Sequence, residues 1–403
     1  MVISGIVIVG GGICGLATAL ALHRKGYESL VVERADSLRT SGADTISVYT
    51  NGWRALDQLG VGKDLRETAL FLCGVRDISL DRGSRRETSL NGEEFRVLNK
   101  GDIIRTLANN LPPNTIRFGI DIVDVELDPI TSDPVLQLRD GNVIKAKVVI
   151  GCDGVESVVA KWLRLKATKL LPYCGVRGFT NYPNGHDLGN EILRLSGDQA
   201  TLSRTPIDDK LVYWLLTRKW TPQDSRDSKD TRLIRDSTLK YIKDFPEEVI
   251  EMINNSELGS LTLHRMRFHT PWDLLIGNFR KGKVTVAGDA MHVMIPLLGQ
   301  SASLGLEDSI VLARCLDQEI YKLAGPEESR RKQVMQENKN VEAAFDRYVK
   351  ERRMRLLKIS TQSYLTGLLQ MTSSSMVKIG LLLLLLILFG KSISHAKYDC
   401  GRL

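Results

Sequence analysis

The chain has 403 residues, 43% hydrophobic and 26% charged, which is ordinary for a soluble globular protein and suits two lobes sharing a ligand or one large α/β unit. Its net charge of +7 comes with no Lys/Arg run interleaved with aromatics, so no nucleic-acid partner is expected. The six cysteines are scattered and form no C-x-x-C pair. That argues against a disulfide framework and a metal site, and for a reducing, cytoplasmic setting.

The chain opens "MVISGIVIVGGG", entering a strand with no basic leader, so no targeting segment is expected. "GIVIVG" reads as a buried parallel-type strand and "GGICGLATALALHRKG" as a helix ending at Gly26. "ESLVVERA" reads as the second strand; "NGWRALDQLGVG" and "GDIIRTLANNLP" read as helices, the latter stopped by Pro112 and Pro113. Four strand patterns follow up to "VIKAKVVIGCDG". Residues 174–218 predict an antiparallel meander, then two helices and the strand "SLTLHRMRFH". The parallel-type strand "KVTVAGD" returns, and from Ser303 to about Lys358 the pattern is mostly helical. The lobe of the first strands is therefore split in sequence by a β-rich lobe.

Gly10-Gly11-Gly12-Ile13-Cys14-Gly15 fits G-x-G-x-x-G between a strand and a helix, with Glu33 at the end of the next strand. That context is the dinucleotide fingerprint. Gly10 allows the tight turn, Gly12 lets a pyrophosphate approach, and Gly15 lets helix and strand pack closely. The helix start offers free N–H groups and its positive dipole end. Glu33 would accept from ribose hydroxyls and repel a 2′-phosphate, so the site suits FAD or NAD.

Two further motifs stand at strand ends: Asp153-Gly154 in "VVIGCDGVESVV", and Gly288-Asp289 in "VTVAGDAMHVMIPLLGQ". The three in this order and spacing resemble the class A FAD-dependent aromatic hydroxylases, such as para-hydroxybenzoate and salicylate hydroxylases, over nearly the whole chain. "NGWRALDQLGVG", "VRGFTNYPNGH" and "GDAMHVM" are similar to the plant salicylate-hydroxylase-like FAD monooxygenases.

The resemblance implies an α/β fold: a glutathione-reductase-type Rossmann lobe split in sequence, with an inserted antiparallel-sheet substrate lobe and a C-terminal helical region. The expected divisions are 1–173, 174–280, 281–360 and 361–403. It implies non-covalent FAD, with NADPH or NADH as co-substrate. One atom of O2 would enter a small, aromatic-type substrate through a flavin C4a-hydroperoxide. Asp289 would hold a ribityl hydroxyl. Pro296, Gly299, Gln300 and the amides of Ser301, Ala302 and Ser303 would face the flavin N1–C2=O edge. Asp153 and Gly154 would serve FAD and the nicotinamide cofactor. Lys100 stands where the family has an FAD-reaching Arg. Arg34 would reach the adenosine side or lie on the surface, and Val123 would contact adenine or be strand core. His292 would line the cofactor site or hold its loop, and no catalytic residue is assigned beyond the proximity of Pro296 and His292. Arg352 with Tyr348, and His264 and His269, read as structural. The substrate pocket is expected between the β-rich sheet, including Arg177, Tyr213 and Trp214, and the Pro296 loop.

Where the family has Gly-Gln-Gly and then Asn or Gly, this chain has Gly299-Gln300-Ser301 and then Ser303, which predicts a stiffer loop ahead of a helix at Leu304. Ala160 stands where the family has Arg. Two other readings stay open: epoxidase or oxidase chemistry on the same fold, and an FAD-binding regulatory protein.

Near the C-terminus "KIGLLLLLLILFGK" holds about 12 apolar or Gly residues, roughly 18 Å of helix against the ~30 Å of a bilayer core. It predicts peripheral membrane contact through 379–390 beside the basic "KERRMRLLK", or burial in a groove of the body.

Overall fold

The structure is a computed structural model and describes residues 2–40, 44–90, 92–321, 330–372, 374–390 and 394–403. In chain order the site-shaping strands are β1 (Val2–Val9), β2 (Ser29–Val32), β3 (Ile116–Arg117), β4 (Val143–Gly151), β5 (Lys169–Asn181), β6 (Leu211–Lys219), β7 (Thr262–Phe268), β8 (Arg280–Lys281) and β9 (Val284–Val286). The helices are α1 (Ile13–Arg24), α2 (Thr50–Gln58), α3 (Pro271–Ile276), α4 (Ser301–Tyr321), α5 (Arg330–Met371) and α6 (Ser375–Phe389).

The first sheet runs β8-β9-β4-β1-β2-β3. β1 pairs parallel with β2 and β4, and β4 pairs parallel with β9. Parallel neighbours need a crossover, and α1 supplies the one between β1 and β2. Both faces of this sheet are covered, which is why its strands read as unbroken β-branched runs. Val7, Ile8, Val31, Val149 and Val284 are fully buried.

That strand order gathers motifs far apart in sequence. The carboxyl ends of β9, β4, β1 and β2 lie side by side and carry Gly288-Asp289, Asp153-Gly154, Gly10–Gly12 and Glu33. Backbone bonds tie the ends together: Ala287 N donates to Gly151 O (2.9 Å), Cys152 N to Val9 O (2.7 Å) and Gly10 N to Val32 O (2.8 Å). Ligands of open α/β sheets bind at this edge.

The second sheet has seven strands, from β7 through β5 and β6 to Ala200–Pro206, Glu191–Ser196, Gly74–Ser79 and Ser84–Ser89. The β5–β6 pairing is antiparallel, as the meander pattern predicts. The 74–89 hairpin comes from before the meander and joins it through a parallel pairing with Glu191–Ser196. One face is closed by the helices Thr231–Tyr241 and Glu247–Asn254, which bury Trp214, Val176 and Leu216. On the other, Arg177 bridges to Asp44 of the first lobe.

α4 starts at Ser301, three residues earlier than the apolar pattern predicts, because Ser301–Ser303 already form its first turn. α5 is a 42-residue helix. α6 is not buried in a groove: only Lys378, Leu381, Leu385 and Phe389, at three- and four-residue spacing, approach the body. Among the described residues no helix is long and apolar enough to cross a membrane. Lys391 lies outside the described residues.

Candidate functional site

The first motif is built by steric necessity. Gly10 sits at φ +107°, and a Cβ there would lie 2.5 Å from Cys152 O. A Cβ at Gly15 would lie 2.0 Å from Gly10 O. Gly12, at the N-cap of α1, meets no atom closer than 3.8 Å, so its backbone is open to a ligand. Glu33 is buried, with its carboxylate accepting from Gly11 N (2.7 Å) and Ala35 N (2.9 Å). Arg39, rather than Arg34, approaches it at 3.4 Å; Arg34 lies exposed.

Cys14 packs into the meeting point of three motifs. Its Sγ lies 3.9 Å from Cys152 Sγ, and a Cβ at Gly288 would come within 2.9 Å of its Cβ. The contact with Cys152, followed by burial, pushes the Cys14 thiol well up, so Cys14 is an inert packing element.

Asp153 folds onto its own turn. Its carboxylate accepts from Ser157 Oγ (2.5 Å) and Val158 N (2.7 Å). Burial pushes its pKa above the usual carboxylate value, against these hydrogen bonds. Gly154 follows at φ +78° with open space where a side chain would be.

The second loop depends on side chains. Gly288, at φ +63°, donates its N–H to Asp308 (2.8 Å). Asp289 accepts from Ser301 Oγ (2.6 Å), so the strand end is latched to the first turn of α4. Gln300 is buried; its Oε1 accepts from Asn51 Nδ2 (2.9 Å), while its Nε2 has no partner among the described residues. Asn51 Nδ2 also donates to Glu307 (2.6 Å). Glu307 and Asp308 each accept from the fully buried Arg352 at 2.6 Å. His292 Nε2 lies 2.6 Å from Asp308. Burial alone would raise Asp308, but His292 and Arg352 hold its carboxyl well below the usual range. His292 and Arg352 thus hold the loop; Tyr348 bonds to Val286 O (3.2 Å) beside them.

A cavity of about 450 Å³ opens in front of this loop. Asp289, Ile295, Pro296, Gly299, Gln300 and Ser301 form one wall, and His264 and Met266 of β7 with Ile359 and Ser363 of α5 form others. Arg177, Tyr213 and Trp214 do not line it. Trp214 faces the opposite side of its sheet and donates to Ser256 Oγ (2.9 Å). Arg177 donates to Thr262 Oγ1 (2.9 Å) as well as pairing with Asp44. Burial pushes the Tyr213 hydroxyl up to about 12. His264, expected as structural, borders the cavity, and burial with nearby Arg177 lowers its pKa.

Several residues have other employment. Lys100 pairs with Asp44 (3.1 Å). Val123 lies exposed on the strand Ile122–Leu127; Arg117 and Ile120 bond to the Glu33 backbone instead, Glu33 N to Arg117 O at 2.9 Å and Ile120 N to Glu33 O at 3.0 Å. Ile13 is buried and Ala302 half-buried, both in first helical turns. Ser303 is fully buried, its Oγ accepting from Tyr49 N (3.3 Å). The serines therefore lie in the first turn of α4: Ser301 latches Asp289 and Ser303 packs on α2. Asn51, Arg39, Met266 and Ser363 escaped sequence reasoning because no spacing relates them to a motif.

The residues fit a dinucleotide running from α1 to α4. Two helix N-termini point at one edge, and glycines stand where a Cβ would collide or fill the cradle. An unpartnered buried amide, Gln300 Nε2, borders the cavity.

The sequence model of the FAD binding domain matches residues 4–338. The chain is 46% identical over 403 residues to Monooxygenase 1 of Arabidopsis thaliana, covering 99% of each chain. It is 28% identical over 331 residues to 3-hydroxybenzoate 6-hydroxylase of Klebsiella oxytoca, covering 77% of this chain and 79% of that one. Klebsiella pneumoniae HpxO, solved with FAD and uric acid, has the same fold, with a TM-score of 0.80 at 18% identity over 98% of both chains. With its strand-end motifs gathered on one edge, this chain belongs to the FAD-binding monooxygenases of the aromatic-hydroxylase type.

Proposed function

We propose that the chain is an NAD(P)H-consuming hydroxylase of a small aromatic-type substrate, with Gly10–Gly15, Glu33, Asp153, Gly154, Asp289 and the first turn of α4 holding the FAD. The observation that carries this reading is the convergence of α1, α4 and Asp289 on one edge beside the cavity. When bound, FAD supplies the redox chemistry, taking hydride from NAD(P)H and activating O2. The chain's own part is binding, orientation and water exclusion. The α1 amides suit the pyrophosphate, and Asp289 suits a ribityl hydroxyl. The amides of Ser301 to Ser303 offer a positive helix end to negative charge on the flavin edge. Met266, Ile295 and Ile359 keep the cavity apolar, where bulk water would divert the reaction. In this reading 1–173 and 281–360 hold the dinucleotide and 174–280 covers the substrate.

The test is spectroscopic. Purified protein should show flavin absorbance that bleaches on adding NADPH or NADH, faster with salicylate or 3-hydroxybenzoate present. Hydroxylated product should then form. Flavin that bleaches without any product from a panel of aromatic acids would point to oxidase chemistry. Protein that takes up no flavin would end the proposal.

We infer also that 379–390 makes peripheral membrane contact. The exposure of its leucines supports this over packing in a groove.

A further inference from the structure

α6 is an odd element for a surface. Leu382, Leu383, Leu384, Leu386, Ile387 and Leu388 are all exposed, Ile387 to 80%. The helix cannot hide them by turning, because both ends are held. Its start lies four residues after the end of α5, and its last residue, Phe389, is buried. Beyond it the chain is clamped again. Arg355 donates to His395 O (2.7 Å), Arg54 to Lys397 O (2.8 Å) and Gln58 to Gly401 O (2.9 Å), and Arg355 stacks over Tyr398 at 4.2 Å.

A second apolar group rests on the same helix. α3 packs on α5, with Arg353 donating to Leu274 O (3.2 Å) and Gly277 O (2.8 Å), and Trp272 meeting Tyr364 edge-on at 5.4 Å. Yet Trp272, Leu275 and Ile276 are half or more exposed. α3 and α6 are therefore two apolar ridges carried by α5, with Met354 of α5 also exposed. So many exposed apolar side chains on two helices packed on α5 call for a covering partner.

The leucine run itself says which kind. A second protein chain docks along one stripe of a helix, about 100° wide. Here one stripe already faces the body and the exposed residues occupy the rest of the circumference, so a helical partner would leave much of it wet. A fluid hydrocarbon layer covers all of it. The charge agrees: Arg352 to Lys397 contains seven Lys or Arg and no Asp or Glu. Arg352, Arg353 and Arg355 are used internally and Lys397 pairs with Glu93 (2.8 Å), but Lys358 is exposed on α5 and Lys378 half-exposed at the start of α6. Cations beside an apolar ridge suit anionic headgroups, and Trp272 suits the headgroup boundary.

We propose that α3 and α6 form one composite docking surface that lies in the headgroup layer of an anionic bilayer, flat rather than spanning. The proposal rests on the membrane contact inferred for 379–390 and extends it to α3.

The experiment is co-sedimentation of the full-length flavin-loaded protein with phosphatidylcholine vesicles, with and without phosphatidylserine. Wild type should bind, more tightly with phosphatidylserine, and added salt should weaken that excess. Leu383→Glu with Ile387→Glu should cut binding by about tenfold or more, since two large apolar side chains lose their cover. Ile276→Glu, on α3 alone, should cut it several-fold. All variants should keep the wild-type flavin absorbance, since each site is already exposed. Wild type that ignores both vesicle types overturns the proposal. A wild-type dimer that becomes monomeric in Leu383→Glu, without vesicle binding, would also overturn it and identify a second copy as the cover. If the double variant is released while Ile276→Glu binds as wild type, α6 alone contacts lipid and the composite surface is wrong.

Discussion

Two glycine-bearing turns face the same cleft, and they are held in different ways. The turn at Gly10–Gly15 is held by main-chain sterics. Its glycines stand where a Cβ would strike backbone at 2.5 and 2.0 Å, and the one distant side chain that bonds to it is Glu33, accepting from Gly11 N. The loop from Gly288 to Ser303 is held by a buried polar network whose members come from α2, α4 and α5. Gly15 is constrained by Gly10 O within the motif and Gly10 by Cys152 O at the end of the neighbouring strand β4, so the glycines keep a fixed spacing on a fixed pair of strand ends. Networks of the second kind can recruit any residue that the fold brings near.

The largest expected effect lies in the network. Arg352→Ala would leave Glu307 with Arg355 and Asn51, and Asp308 with His292 and the Gly288 amide. Breaking a buried pair from one side costs about 3–5 kcal/mol, which urea unfolding would measure. The pH dependence follows from Asp308. Its folded pKa is depressed, so its stabilising contribution is complete above the unfolded value of about 4 and is lost as pH falls through the folded value. Without Arg352 the folded value should rise towards the unfolded one, and acid unfolding should begin at a higher pH. An unchanged acid midpoint would mean that His292 and the Gly288 amide hold Asp308 down without Arg352.

The first turn predicts a smaller but sharper result. Gly15→Ala should destabilise by about 1–3 kcal/mol, since the new methyl strikes backbone rather than a flexible side chain. Gly12→Ala meets open space and should leave the melting temperature almost unchanged. Its methyl would stand among the α1 amides, however, so flavin binding should weaken. Equal effects on stability and on binding in the two variants would remove the distinction between a structural and a ligand-facing glycine.

The same contrast sets how much was legible. G-x-G-x-x-G, Asp153-Gly154 and Gly288-Asp289 could be read because strand ends and glycine spacing leave a local signature. The parallel sheet that gathers them follows from β-branched runs separated by helical periods. Arg177, Tyr213 and Trp214 could not be sorted, because alternation along a strand separates the two faces without saying which one meets the cavity. Trp214 went to the helix-covered face, and His264 and Met266 of the edge strand β7 took the cavity wall. The start of α4 was placed late because the apolar pattern starts at Leu304, while the hydrogen bonds of α4 start a turn earlier. Inside a helix a serine carries no φ strain, so the argument from glycine freedom does not apply.

Asp289→Ala removes the group that α4 latches and that suits a ribityl hydroxyl. A hydrogen bond to a charged group is worth about 1.5–3 kcal/mol, or about 10- to 150-fold in FAD affinity by fluorescence titration. Affinity that stayed at wild type would move the ribityl contact elsewhere in the loop.

Ser301→Gly gives the smallest effect and bears most directly on how the second loop is held. The substitution removes the 2.6 Å latch to Asp289 and leaves the backbone amide in place. Loss of one such hydrogen bond is worth about 0.5–1.5 kcal/mol, and glycine in the first helical turn adds less than about 1 kcal/mol. Ser301 is exposed and its carboxylate partner is half-buried, so water can replace the lost donor. FAD affinity should therefore fall by less than about tenfold. Ser303→Asn should behave differently, because Ser303 is fully buried and its Oγ lies where a Cβ on Gly52 would be, 2.6 Å away. A larger side chain there has to displace α2, which carries Asn51 and hence Gln300. The expected sign is a loss of stability in Ser303→Asn and almost none in Ser301→Gly, read by thermal unfolding of both proteins. If Ser301→Gly is the more damaging change, the Asp289 latch organises the loop, and the network behind Gln300 does not.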